Sequence, residues 1–313
     1  MTANATAHDP EARGRAWPAL PLESWQGTKD TLHMWTQIVG KIRLARAAPV
    51  NHWWGIVLYV TARGLTTSAI PYGSTVFQID FDFHEHQLRV QTSDGAARAF
   101  PLIARPVAEF YRELMDTLHQ LGIRIHIWTR PVEVETAVRF DRDYTHALYD
   151  PEYAQRFWRA LLQADRVLRE FRARFVGKAS PVHFFWGGFD LAATRFSGRR
   201  APPHPGGFPN LADWVTRESY SHEVSSAGWW PGGGLVSEPA FYSYAYPEPE
   251  GFAAHPVRPE AAYYHPELRE FILPYEAVRR AGDPDRLLLD FLQSTYEGAA
   301  DTGGWDRPAL ERA

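Results

Sequence analysis

The sequence predicts an α+β protein made of two related units packed as a pseudo-twofold pair. Three observations predict it. Helical apolar periodicity alternates along the chain with short runs of aromatic and β-branched residues. Tight-turn residues separate those runs, as in an antiparallel sheet. A strand-start motif also recurs: Ala48-Pro49-Val50-Asn51-His52-Trp53-Trp54-Gly55 is matched about 130 residues later by Ser180-Pro181-Val182-His183-Phe184-Phe185-Trp186-Gly187. Each unit then has a leading helix, an antiparallel sheet and a closing helix. The expected boundaries are a disordered leader over 1–19, a first unit over 20–148, a second unit over 149–305 with an inserted loop region at 198–239, and a tail over 306–313.

The elements follow in order. Trp25, Leu32, Trp35, Val39 and Ile42 mark one helix face from Leu22, and Ala47-Ala48-Pro49 ends it. His52 to Val60 reads as a strand. Val76 to Phe83 alternates, with Phe77, Ile79, Phe81 and Phe83 to one side. The opposite row of Asp80, Asp82, His84 and His86 reads as a solvated outer face. Leu88–Thr92 and Arg98–Leu102 form a hairpin about Ser93-Asp94-Gly95. A helix over Val107–Leu121 ends at Gly122, and Ile123–Trp128 reads as a strand. The pattern then restarts. Asp150 is an N-cap with Pro151 behind it, opening a helix to about Phe175. Strands are expected at His183–Phe196, Ser219–Ser225, Ala240–Tyr246 and Glu270–Leu273. A last helix runs from Pro284 to about Ala299, after the N-cap Asp283.

Composition narrows the function. The 313 residues include no Cys, so thiol nucleophiles, disulfides and Cys-ligated metals are excluded. The net charge of −4 argues against a dedicated nucleic-acid binder. No apolar run is long enough to span a membrane. The first 18 residues lack the apolar stretch of a secretory signal, so cytoplasmic residence is expected. Phosphate loops, nucleophile elbows and His-Glu-x-x-His are absent, and no nucleotide-binding motif occurs.

The chemistry-bearing residues gather in the second unit. His183 and His222 are candidate acid/base groups, with Glu223 or Asp190 as the orienting carboxylate. Arg195, and Arg63 at the matched place in the first unit, are candidate clamps for a carboxylate or phosphate. The alternative for Arg195 is an internal ion pair with Asp190 or Glu223. His52, Trp186, Trp229, Trp230 and Tyr244 complete the candidate ligand-binding set. No metal is predicted; a bound metal would take its ligands from His183, His204, His222 and Glu223. The 12 Trp, 14 Tyr and 18 Phe crowd the matched strand starts and the insertion, which suits a stacked ligand, a homodimer interface or plain two-sided packing.

The stretches Ser180–Arg199 and Tyr220–Gly234, the Trp25–Lys41 helix and the run Val60-Thr61-Ala62-Arg63-Gly64-Leu65-Thr66-Thr67 resemble the bacterial domain-of-unknown-function family 5996. The resemblance covers about Leu20 to Trp305. It implies one recurring architecture and assigns no activity to any residue. The sequence therefore points to an enzyme acting on a small anionic or aromatic metabolite in a pocket at the junction of the units. A non-catalytic small-molecule binder and a partner-binding protein with an aromatic surface remain the alternatives.

Overall fold

The computed structural model describes residue 14 and residues 16–312. It is α+β, with two antiparallel six-stranded sheets. The first holds β1 (Tyr59–Val60), β2 (Gly64–Thr66), β3 (Ile70–Tyr72), β4 (Thr75–Asp82), β5 (Gln87–Thr92) and β6 (Ala97–Pro101), in the order β1-β2-β4-β5-β6, with β3 also paired to β4. The second holds β7 (His183–Phe185), β8 (Asp190–Arg200), β9 (His222–Trp230), β10 (Ala240–Tyr246), β11 (Tyr263–His265) and β12 (Glu270–Pro274), in the order β11-β12-β10-β9-β8-β7. Leu58 and Phe184 exchange two backbone hydrogen bonds of 2.9 Å, which join the sheets edge to edge.

The helices are α1 (Leu22–Leu44), α2 (Val107–Gln120), α3 (Pro151–Ala173), α4 (Asp213–Ser219), α5 (Tyr275–Arg280), α6 (Pro284–Thr302) and α7 (Arg307–Leu310). None is long and apolar enough to cross a membrane, among the described residues. Helix α3 starts as expected, with the Asp150 carboxylate accepting the N–H groups of Glu152 and Tyr153. Helices α3 and α6 pack on one face of the second sheet. Helix α1 lies at the centre: Gly40 leaves room for the Trp186 indole, which a Cβ there would strike. The basic end of α1 works locally, because Arg43 donates to the carbonyls of Gly55 and Val57 and holds the chain that leads into β1.

Several expected elements differ. The first strand start is a turn: His52 and Trp53 take φ of 58° and 62°, and only Tyr59–Val60 pairs as strand. Ile123, Ile125 and Ile127 are buried in alternation, but the segment joins no sheet. The single strand expected over His183–Phe196 is two, β7 and β8, folded about the Trp186–Phe189 turn with Phe189 at φ 59°. Where a strand was expected from Ser219, α4 ends at Ser219 and β9 begins only at His222. The row of Asp80, Asp82, His84 and His86 is not one solvated face. Strand β4 ends at Asp82, which is only 2% exposed. Its carboxylate accepts from Arg63 Nε at 2.7 Å and from the N–H groups of His84 and Glu85.

Residues 1–13 and 15 of the expected leader lie outside the described residues. Trp17 is 2% exposed, against Phe241 and Tyr275, so the packed chain begins before Leu20. The expected tail is also packed, with Arg307 bonded to Glu311 and a backbone bridge between Phe175 and Glu311.

Removing the α3 cap should cost about 1 kcal/mol. Asp150→Ala should therefore lower the urea midpoint without changing the slope of the transition; an unchanged midpoint would remove the cap from the list of stabilising contacts.

Candidate functional site

Pleating gives the second sheet two chemically different faces. Leu191, Ala193, Ala227, Trp229, Phe241, Phe271 and Leu273 face the core beneath α3 and α6. The opposite face is covered by largely irregular chain and carries a cavity of about 760 Å³, which adjoins a smaller chamber of about 200 Å³. Asp190, Glu133, Tyr220, Tyr242 and Tyr244 border both spaces. Glu270, Trp230, His204 and Tyr246 border the larger one.

The cavity floor is set by register. Tyr242 stands opposite Gly228 on β9, and Gly228 stands opposite Ala192 on β8. Without a side chain at Gly228, the Tyr242 ring lies across β9: a Cβ there would sit 2.6 Å from its Cζ. The Tyr242 hydroxyl thereby donates to Asp190 Oδ2. One row along, Tyr244 faces Ser226 and Ser226 faces Thr194. The Thr194 and Ser226 hydroxyls are 2.8 Å apart, and the Tyr220 and Tyr244 hydroxyls 2.7 Å.

Glu133 arrives on a clamped loop between α2 and α3. The Gln37 side-chain amide on α1 donates to the Val132 carbonyl at 2.8 Å and accepts the Val132 N–H at 2.9 Å. His33 donates from Nε2 to the Gly187 carbonyl at 2.8 Å. On the far side, Glu133 N–H reaches the Pro209 carbonyl at 2.7 Å, and Asn210 Nδ2 donates to the Val134 carbonyl at 2.7 Å. Gly187 and Gly188 make the approach possible. A Cβ at Gly187 would collide with Glu133 Oε1, and one at Gly188 would lie 2.8 Å from Asp190 Oδ1 and 3.6 Å from Glu133 Oε2. The two carboxylates therefore flank one glycine. Glu133, Phe189, Asn210 and Arg269 all take left-handed backbone conformations here, with φ of 57°, 59°, 54° and 60°. For non-glycine residues that costs on the order of 1 kcal/mol each and persists only where neighbours impose it.

The electrostatics are one-sided. Burial raises Asp190 to about 6, against the pull of the Tyr242 hydrogen bond. Burial, followed by the nearby Asp190 charge, raises Glu133 to about 7 and Glu270 to about 8. All three keep some accessible surface because their oxygens face the cavity. The carboxylates of Glu133 and Glu270 receive no hydrogen bond or ion pair from any described residue, while Asp190 receives only that of Tyr242 from a side chain. Arg269, the one Lys or Arg among the described residues bordering the large cavity, is held by Glu248 at 2.7 Å. Burial lowers the pKa of His204, and its Nδ1 accepts the Gly206 N–H at 3.0 Å.

The candidate residues from the sequence separate on this frame. Asp190, Tyr244, Trp230 and His204 border the large cavity, and His52 borders the small chamber. His52 is engaged at both nitrogens, by the Ser219 carbonyl at 2.9 Å and by Lys178 Nζ at 2.7 Å. His222 lies 5.9 Å from the His52 ring and lines neither space. His183 is buried beside Trp54 and Tyr59, and burial lowers it to about 4. Glu223 points away to Arg199 Nε at 2.8 Å. Arg195 lies on the core face, away from Asp190 and Glu223, with its guanidinium 3.5 Å from the Phe171 ring centroid and 4.3 Å from that of Tyr296. Trp229 is in the same core, Trp186 packs on α1, and Arg63, in the bend before β2, pairs with Asp82 of the first sheet. His183, His204, His222 and Glu223 do not converge. No group of three His, Cys, Asp or Glu residues is placed to hold a metal ion, among the described residues.

The sequence reading missed Glu133, Glu270, Tyr242 and Tyr220. The alternation Tyr242, Tyr244, Tyr246 along an expected strand carries the signal for the tyrosine wall, and Glu270 shares its strand face with Ile272. Nothing local marks Glu133, which comes from a loop.

Fold and site together define a two-sheet α+β protein with an enclosed, acidic, tyrosine-walled cavity. The chain belongs to the Family of unknown function (DUF5996), whose model matches residues 17–312. No curated protein and no solved structure matches the chain.

Raised carboxyls make a signed prediction. Glu270 binds its proton more tightly in the folded state than in the unfolded state, so its contribution to stability is present at low pH and is lost as pH rises toward about 8. Glu270→Gln removes the ionisable group. It should raise stability at about pH 9 by on the order of 1–2 kcal/mol, allowing for cavity water, and change it little at about pH 4. Thermal melts of both proteins across that range test this; parallel curves would contradict it.

Proposed function

We propose that the protein binds a small cationic ligand, a primary or secondary amine, in the cavity between Glu133, Asp190 and Glu270. One observation carries the reading: the Glu133 and Glu270 carboxylates border open space with no donor from any described residue. Buried carboxylates need donors or opposite charge. An ammonium group supplies both, and the aromatic rings of Tyr242, Tyr244 and Trp230, which border the cavity, are groups that attract cations. An anionic ligand fits poorly, because Arg195 and Arg63 lie elsewhere and Arg269 is neutralised by Glu248.

A second reading, acid/base catalysis on the bound amine, is favoured by Glu133. Its carboxyl is raised to about 7, it flanks Gly188 with Asp190, and its backbone is held left-handed. The pseudo-twofold relation of the units and cytoplasmic residence belong with these proposals. What supports the former is that each half contributes one six-stranded antiparallel sheet and that the Leu58–Phe184 bridge joins them.

Titration calorimetry with ethylamine and with propionate tests the charge preference. The amine should bind and propionate should not. Asp190→Asn should weaken the amine at least about tenfold, or 1.4 kcal/mol. A cation favours the ionised carboxylates, so affinity should rise from about pH 6 to about pH 8, with protons released on binding. Equal binding of amine and carboxylate would end the reading.

A further inference from the structure

We infer that the ligand carries an aromatic ring as well as an ammonium group, and that the ring occupies the small chamber while the ammonium sits at Glu133 and Asp190. The inference rests on the amine reading and names the class of amine.

The two spaces share a wall, with Glu133 and Asp190 on both, and differ in what else borders them. Glu270, Glu248 and Arg269 border the large cavity alone. The small chamber is walled by Trp54, Phe185, Phe196, Phe208, Leu211 and Val224, over a floor that includes Ala192. Several of its polar groups are spent within the protein, while the Thr216 hydroxyl has no partner. The hydroxyls of Thr194 and Ser226 pair with one another, Ser219 Oγ donates to the Val215 carbonyl at 3.0 Å, and His52 is engaged at both nitrogens. Donor-rich groups therefore gain little there, whereas apolar carbon does.

Size and shape agree. The chamber holds about 200 Å³, and an apolar cavity of about 150 Å³ suffices for one benzene ring. Aromatic walls from several directions provide the edge-to-face contacts that rings prefer. The walls are also built rather than incidental. Trp54 meets Phe196 edge-on at 5.8 Å, and Lys178 caps the Phe196 ring from outside at 4.9 Å. Glu133 and Asp190 border both spaces, so an ammonium one or two carbons from the ring stays within their reach when the ring is seated. A longer substituent would extend into the large cavity.

The chamber floor supplies the test. Ala192 is 3% exposed and faces the chamber between Asp190 and Thr194, so Ala192→Val and Ala192→Leu fill it stepwise without touching a carboxylate. Binding of phenethylamine and of ethylamine is measured by calorimetry on the full chain, wild type and both variants, with folding checked by circular dichroism. In the wild type, phenethylamine should bind about 10- to 100-fold tighter than ethylamine. Ala192→Val should reduce that ratio and Ala192→Leu should bring it near one, with ethylamine affinity unchanged. Should Ala192→Leu fail to fold, the wild-type ratio and the Val variant still decide. If both amines bind the wild type equally, or the ratio survives the filled chamber, the ring assignment is wrong and the amine reading stands. If neither amine binds, the amine reading itself is wrong and this inference goes with it.

Discussion

The two-faced second sheet is the constraint on which the site depends. A strand cannot present Leu191, Ala193 and Arg195 to a helical core without presenting Asp190, Ala192 and Thr194 to the other side. Helices α3 and α6 cover the first face. The second is left to largely irregular chain, the 201–219 segment with its short helix α4 and the loop around Glu133. Irregular chain covers a sheet less completely than a helix, because it has no repeating apolar stripe to lay into the pleats. An enclosed space on that face is the consequence, and its contents follow from which residues occupy alternate strand positions.

That space is held open at an energetic cost met elsewhere in the fold. Burial, and then the Asp190 charge, disfavours the ionised forms of Glu133 and Glu270, and four non-glycine residues near them sit in left-handed backbone. Nothing within the cavity repays this. The compensation comes from α1, whose Gln37 and His33 bind the backbone on both sides of the acidic pair. Burial lowers His33 to about 4, so it remains neutral through the physiological range and its bond to Gly187 does not vary with pH. A core helix thus fixes a site that its own side chains do not line.

Much of this fold is legible in the sequence because it rests on local chemistry. Asp150 and Asp283 cap their helices where Asp followed by Pro predicts, and Val76–Phe83 alternates as its burial requires. The matched strand starts illustrate the limit. Ser180–Gly187 yields a strand and Ala48–Gly55 yields a turn, although the residues read alike, because tertiary contacts override propensity over so few residues. Asp190, Trp230, Tyr244 and His204 were found from residue type within the insertion and its flanking strands. Glu133 was beyond reach, since its role depends on the loop between α2 and α3 closing across Gly187 and Gly188. Arg195 was misread for a related reason: position along a strand gives its face only relative to its neighbours, and only the packing of α3 says which face is the core.

Arg195 and the acidic group show how opposite charges on one sheet find different solutions. They lie on opposite faces of the same short stretch of β8, so they cannot pair. Arg195 is held within the protein, although its Nε has no hydrogen-bond partner: Phe171 and Tyr296 offer ring faces, and the Phe171 carbonyl accepts one of its N–H groups. No carboxylate is in ion-pair reach of it among the described residues, and none is required, because guanidinium is weakly hydrated and stacks readily. A carboxylate has no such alternative. Its quadrupolar interaction with a ring face is repulsive, and it must receive donors. The core face therefore closes over its cation with aromatic rings and leaves no space beside it for a ligand. The cavity face leaves the Glu133 and Glu270 carboxyls without donors from any described residue, beside a space large enough to admit them, and that asymmetry separates packing from a site.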